Sequence, residues 1–281
     1  MNRTVVVLLL VCAGHLATAQ TKDERKDAGF AYRFPDRPPL TYEFAVTGTI
    51  SFGYEGVSTE TMKVKVSAVL PFVPEAASDG VHTLRVAPRK TFIQVNDSVL
   101  EDFTSSESVS SALSTVRLSI ADNGRVVSSE DISPGIVSIG KLLSLIPAFP
   151  SSTLTPGRRW KQSITTLSFP GIPMPDLEFW YLYDSIRGSD AVFKLTGDQI
   201  IRQTKKQGDV TVTMNGRSSG SGTLLFNTSR GAIEQSSGTI TLNLRTVFGL
   251  PPVPGEKAGQ SLPMTLNLKV SYTLKRLEPG A

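Results

Sequence analysis

The sequence predicts a mainly β protein: a large antiparallel curved sheet, as a half-barrel or sandwich, with one or two short helices. Long segments alternate apolar and polar residues with period two, the pattern of strands buried on one face and wet on the other. Turn chemistry separates several of them, most clearly at Asp122-Asn123-Gly124, where Asn and Gly tolerate positive φ. A single stretch, near 134–146, carries a helical pattern instead. A chain of 281 residues can also bury a substantial core without disulfides.

The chain starts as an export signal would. Arg3 lies in a short basic region, residues 5–11 are apolar, and Ala17-Thr18-Ala19 is a small-x-small cleavage site. Residues 1–19 are therefore expected to be a signal peptide, too short in its apolar run to span a bilayer. Cys12 is the single cysteine. A lipoprotein reading would make it the acylated first residue, but bulky Val11 stands where a small residue is expected. Simple cleavage leaves no thiol for a disulfide, a metal or a nucleophile. Residues 20–39 open with the charged QTKDERKDAG and are expected as a disordered leader. Residues 40–281 are then expected to be one β-rich domain with a covering helix near 134–146.

Tyr42, Phe44, Val46, Ile50 and Phe52 alternate with polar residues, as do Met62, Val64, Val66, Ala68 and Leu70 after a Gly-bearing turn, which predicts a long hairpin. Strands follow at 81–86 and 91–95, with Pro88 forcing a break or an edge position. Residues 104–114 are Ser-rich, a short helical turn or a loop. Val116, Leu118 and Ile120 precede the Asp122-Asn123-Gly124 turn and its return strand. Ser133 and Pro134 suit the N-cap and first turn of the helix near 134–146, and Pro147 stops it. Gly135 and Gly140 weaken that helix by up to about 1 kcal/mol each. Strand patterns resume at 160–167. They continue through 177–183 (LEFWYLY), where both faces are apolar and cover on both sides is expected. Strands at 191–195, 210–214, 223–226 and 240–246 lead to the clearest alternation, from Leu262 to Leu274.

Two internal echoes stand out. Residues 118–126 and 224–233 share the form of a strand, a Gly turn and a return, as a duplication or any two hairpins would. Pro71-Phe-Val-Pro74, Pro147-Ala-Phe-Pro150, Pro170-Gly-Ile-Pro173 and Pro251-Pro-Val-Pro254 repeat one spacing and read as stiff connectors at strand ends.

Catalytic signatures are sparse. The 29 basic and 25 acidic side chains are interspersed, which leaves no electrostatic footprint for nucleic acid. His82 is the one histidine outside the signal, with no second histidine for a common zinc site and no Gly-x-Ser-x-Gly elbow for a hydrolase. Glu101-Asp102, Glu130-Asp131 and the pair Asp176 and Glu178 are sequence neighbours without evidence of a shared cleft. Ser218 to Gly222 is Gly-rich but lacks the Lys-Ser/Thr of a phosphate loop. Asn96-Asp97-Ser98 and Asn227-Thr228-Ser229 fit the N-glycosylation pattern. No cofactor or metal is expected, nor a transmembrane segment.

On residues 118–127, the helix that follows, Pro147-x-x-Pro150, Pro156-Gly157-x-x-Trp160 and the hairpin at 222–233, the chain resembles uncharacterised exported β-rich bacterial proteins of the domain-of-unknown-function type. It is similar, more distantly and in architecture alone, to periplasmic lipoprotein and lipid carriers, whose curved antiparallel sheet is covered by helices. The first resemblance implies no activity, and a shared architecture does not fix function.

What remains is apolar surface. Ile139, Leu142, Leu143, Phe149, Trp160, Phe179, Trp180 and Tyr181 are the candidate ligand-binding residues, because ligand sites are mostly apolar with few polar groups. The leading expectation is a non-enzymatic periplasmic or secreted protein that binds a lipid-like or apolar ligand. The alternatives are an envelope protein-interaction module that uses a sheet edge or the proline links, and a hydrolase centred on His82.

Overall fold

The computed structural model describes residues 30–103, 113–133, 146–165, 175–207, 209–250 and 261–278. Among these described residues thirteen strands form one antiparallel sheet. The first half of the chain supplies β1 (Leu40–Tyr54), β2 (Glu60–Ser78), β3 (Val81–Val86), β4 (Arg89–Val95), β5 (Ser98–Phe103), β6 (Val116–Ala121) and β7 (Val126–Asp131). The second half supplies β8 (Arg159–Thr165), β9 (Asp176–Arg187), β10 (Asp190–Gln207), β11 (Val210–Asn227), β12 (Ala232–Gly249) and β13 (Ser261–Arg276).

The spatial order is β7-β6-β3-β2-β1-β13-β12-β11-β10-β9-β8, with β4 beside β2 and β5 beside β4. The first and last long strands therefore pair at the centre, Tyr42 opposite Arg276 and Tyr54 opposite Met264. Each half of the chain forms one wing, and among the described residues β7 and β8 are the outer edges of an open sheet. Both β3 and β4 run along β2, facing its Phe72–Ser78 and Val64–Val69 portions. They are one partner strand interrupted at Ala87-Pro88, as expected for a residue with no N–H to donate.

Paired residues share a face, so the register sorts the whole chain into two surfaces. One row runs across eight strands as Val66, Val46, Tyr272, Gly238, Gly222, Leu195, Tyr181 and Trp160. The neighbouring row, one residue along each strand, is Lys65, Thr47, Ser271, Thr239, Ser221, Thr196, Trp180 and Lys161. The first row faces the interior and the second faces solvent. Buried hydrophobic residues from both wings belong to a single core.

Glycine lets the interior face curl tightly. The Phe179 ring lies against Gly220 and Gly197, where a Cβ at Gly197 would meet it at 2.7 Å. Gly238 receives the Tyr272 ring in the same way, at 2.9 Å. Bulges in the β2–β3, β6–β7, β9–β10 and β11–β12 ladders add further bend.

Several expectations change here. No helix occurs among the described residues, so the expected one or two short helices are not borne out there; the stretch 134–145 lies outside the described residues. The Ser133 hydroxyl oxygen, expected to cap that helix, accepts the N–H of Thr115 at 2.9 Å. Pro71-Phe-Val-Pro74 lies inside β2 and not at a strand end, with a bulge after Pro74 that absorbs the second proline. The proline links at 170–173 and 251–254, like residues 1–29, lie outside the described residues. Strand β9 is covered on one face only, since Trp180 is 47% exposed while Tyr181 is fully buried.

Candidate functional site: the inner face and its aromatic cap

One end of the curled sheet is closed by segments far apart in sequence. The Tyr32 N–H donates to the Asp122 carbonyl at 2.6 Å, and the Arg33 N–H donates to the Gly231 carbonyl at 2.8 Å. Asp122 lies in the turn after β6 and Gly231 in the turn before β12, so residues 30–34 bridge the two wings. These are the turns of the two echoed hairpins, and Gly124 and Gly231 both have positive φ. The link at 146–149 joins the same structure. Phe149 N–H donates to the Asn123 carbonyl at 2.7 Å, and Asn123 Nδ2 returns a bond to the Phe149 carbonyl at 2.9 Å. Tyr32 donates its hydroxyl to the Pro147 carbonyl at 3.1 Å.

Aromatic rings fill the space beneath this cap. Phe30 lies 5.2 Å from Phe149, 5.3 Å from Tyr183 and 5.4 Å from Phe193, with the latter two edge-on. Trp160 stacks on Tyr181 at 5.2 Å, and Phe149 contacts Phe226 at 5.0 Å. Edge and offset contacts of this kind are each worth about 0.5–1.5 kcal/mol beyond simple burial.

Of the candidate residues, Phe149, Trp160 and Tyr181 come together in this cluster. Phe179 lies further along the same inner face, over Gly197 and Gly220. Trp180 points the opposite way, into the solvent-facing row with Lys161. Ile139, Leu142 and Leu143 lie outside the described residues. Sequence reasoning missed Phe30, Tyr32, Phe193 and Phe226. Residues 30–34 (FAYRF) do alternate, but the charged run before them placed them in a leader; Phe30 and Tyr32 are instead core residues, 5% and 4% exposed.

The inner face carries polar atoms without partners. Trp160 Nε1, Tyr181 OH, Gln203 Oε1, Ser236 Oγ, Thr246 Oγ1 and Tyr272 OH are buried with no hydrogen bond. All six residues belong to inward-facing rows. Gln203 and Thr246 lie in one row with Met214 between them, and Thr246 is fully buried. Burial drives the Tyr181 phenol far above its ordinary range, and neighbouring Tyr272 adds to the effect. Burial raises Tyr272 too, while the Ser236 hydroxyl beside it pulls it back, although the two oxygens do not reach hydrogen-bond geometry.

The candidate catalytic groups have structural partners. His82 Nε2 lies 2.9 Å from Asp122 Oδ1, and its ring packs edge-on against Phe34 at 5.2 Å. Asp122 is its one hydrogen-bond partner among the described residues, so no nucleophile is bonded to it. Glu130 faces Arg117 at 3.8 Å, Asp131 accepts the Ser114 hydroxyl at 2.6 Å, and Glu178 pairs with Lys161 at 2.6 Å. The Asn227 amide donates to Ser189 and Asp190 while its oxygen accepts from Ser229 and Arg230, which makes it a turn residue. Among the described residues no three His, Cys, Asp or Glu side chains converge as metal ligands, and no helix is long and apolar enough to cross a membrane.

No protein-family model matches this chain, and no curated protein matches it. Among solved structures the chain is similar to lipovitellin, in a structure described for its lipid–protein interactions, with a TM-score of 0.44 and 10% identity. That match covers 88% of this chain and 26% of the other, so the chain spans about a quarter of that lipovitellin chain. It is also similar to the outer membrane protein AlkL in lipid bilayers, with a TM-score of 0.23, 10% identity and coverage of 94% and 99%. Pseudomonas aeruginosa OccK2 in complex with glucuronate is a third, with a TM-score of 0.22, 8% identity and coverage of 91% and 100%. Likenesses at these scores carry no argument about function, which rests on the surfaces of the molecule itself.

Proposed function

We propose that this protein is a non-catalytic periplasmic or secreted binder of a lipid-like, amphipathic ligand held on the inner face of its sheet. One observation carries the reading: apolar rows continue across both wings, yet they bury six unpartnered polar atoms. An unpartnered buried donor or acceptor costs about 1–3 kcal/mol, so each of these groups gains from a bonding partner. A site for an amphipathic ligand explains both features, because it needs a broad apolar lining with a few polar groups set into it. The aromatic cap, with Phe149, Trp160 and Tyr181, is packed ring on ring and serves as the floor. Phe179 lies beyond it, and Gln203 Oε1 and Thr246 Oγ1, buried without partners, become hydrogen-bonding groups for the ligand once it parts the side chains that cover them. Ile139, Leu142 and Leu143 stay candidates for the lining, while Trp180 on the outer face does not.

The test pairs lipid extraction from purified protein with uptake of a fluorescent fatty acid by the extracted protein. Gln203→Leu with Thr246→Val is expected to weaken uptake about tenfold, corresponding to one lost net hydrogen bond of about 1.4 kcal/mol. No extractable lipid and no uptake would sink the reading.

A second reading, a protein-interaction module, is favoured by the sheet edges. Strands β7 and β8 each pair on one side only among the described residues, and Val127 on β7 is 51% exposed. A partner strand would add there through main-chain hydrogen bonds. Specific partner binding that Ser129→Pro abolishes, from protein with no extractable lipid, would favour this reading. No observation favours a hydrolase centred on His82.

A further inference from the structure

The geometry points to a second binding site, on the outer face, for a phosphate-bearing anion. A groove of about 480 Å³ lies where β1, β2, β13 and β4 meet, and its lining includes Lys63, Lys65 and Lys269 but no Asp or Glu. Lys63 and Lys269 flank Thr49 in one row of the sheet, and Lys65 sits beside Thr47 in the next. Strand spacing puts the Cα atoms of Lys63 and Lys269 about 10 Å apart, and two residues along β2 put Lys63 and Lys65 about 7 Å apart. Lysine side chains are long enough to reach one multiply charged group from the corners of such a triangle. Between them, the hydroxyls of Thr47, Thr49 and Ser271 form a floor that can donate hydrogen bonds to its oxygens.

The wall of this groove is fixed. Asn96 stands at the turn between β4 and β5 with φ 54°, its N–H bonded to the Lys63 carbonyl at 2.7 Å. Its side-chain oxygen accepts the Lys63 N–H at 2.9 Å. Lys65 is held over the Phe92 ring at 5.3 Å, a cation–π contact that orders the ammonium without neutralising it. Elsewhere on the surface Arg117, Lys161, Lys194 and Arg217 each sit against a carboxylate. The three groove lysines make no such pair among the described residues. Three uncompensated ammoniums over a hydroxyl floor repel one another until an anion joins them. Phosphate matches that set in charge and in acceptor oxygens.

The phosphate can belong to an anionic lipid headgroup at a membrane surface or to a free phosphorylated solute, and the experiment separates the two. One arm measures co-sedimentation with vesicles of phosphatidylcholine and phosphatidylglycerol. The other measures calorimetric titration with tripolyphosphate at physiological salt. Each lysine near an anionic surface contributes roughly fivefold in affinity, so Lys63→Gln/Lys65→Gln/Lys269→Gln is expected to lose about 100-fold in whichever arm binds. The corresponding triple arginine variant is expected to bind as the parent does. A matched triple change at Lys205, Lys206 and Lys275, outside the groove, is expected to bind close to the parent. Binding in the vesicle arm alone identifies a headgroup, and binding in the tripolyphosphate arm alone identifies a free solute. No binding in either arm, or equal loss in the matched control, overturns the site. The interior ligand is unaffected by these surface changes, so the two sites stand or fall separately.

Discussion

Gly124 and Gly157 both hold positive φ, at 89° and 91°, but only one has the cap behind it. A Cβ at Gly124 would strike the Tyr32 ring and the Pro147 carbonyl, while one at Gly157 would meet open space. Gly157→Ala is therefore expected to cost about 1–2 kcal/mol of backbone strain, and Gly124→Ala about 2–5 kcal/mol from strain plus overpacking. Urea midpoints of the two variants check this, and equal losses would mean that the cap contact contributes nothing. The buried phenols give a pH test. Burial, first of all, raises Tyr32, Tyr42 and Tyr181 well above the ordinary value near 10. The native state then keeps these protons where the unfolded chain has lost them. Their stabilising effect is complete below about pH 10 and is lost as pH climbs from there towards the raised native values, by up to about 1.4 kcal/mol per tyrosine per pH unit. Unfolding monitored with phenolate absorbance should show these hydroxyls ionising only with the cooperative transition; their free titration in folded protein would contradict the packing. Tyr183 is also raised by burial, and its ring belongs to the same cluster.

At the scale of elements, the strands were legible because period-two alternation and turn residues are local signals. β1, β2 and β13 match the alternations at Tyr42, Val64 and Leu266, and the Asp122-Asn123-Gly124 turn joins β6 to β7 as its chemistry requires. Pro88 marked a real interruption, between β3 and β4. The aromatic cap was not legible, since it forms from residues 30–34, 122–124, 147–149 and 231, which no sequence window contains. Phe30 and Tyr32 gave only a three-residue alternation after a charged run, too short to outweigh it. The four-way proline echo also misled at Pro71 and Pro74, because a bulge lets β2 carry both. The cap yields its own prediction. Phe30→Ala and Phe149→Ala should each cost about 3–5 kcal/mol, and the double variant should depart from their sum by about 0.5–3 kcal/mol because the rings touch. Strict additivity in chemical denaturation would show that the N-terminal segment is not part of the cap.

For the whole molecule, the register assigns opposite characters to the two faces of one sheet. The inner face gathers the core and the unpartnered polar atoms. The outer face gathers hydroxyls, ion pairs such as Arg217 with Asp198 at 2.5 Å, and the lysine groove. Neither site was readable as a unit from the sequence. The inner one depends on which rows align across β10, β11, β12 and β13, and the outer one on lysines from both ends of the chain. Three of the candidate ligand residues, Trp160, Phe179 and Tyr181, do fall on the inner face of the sheet, because strand alternation reveals which residues share a side. It does not reveal which side is buried, and that is how Trp180 came to be grouped with Tyr181. The measurement that tests the central claim most directly is native mass spectrometry of gently purified protein, before and after solvent extraction. One lipid-sized adduct per chain is expected, removable by extraction and restored by added amphiphile in the parent but not in the Gln203→Leu/Thr246→Val variant. A bare chain mass before extraction, with no adduct formed when amphiphile is supplied, would contradict it.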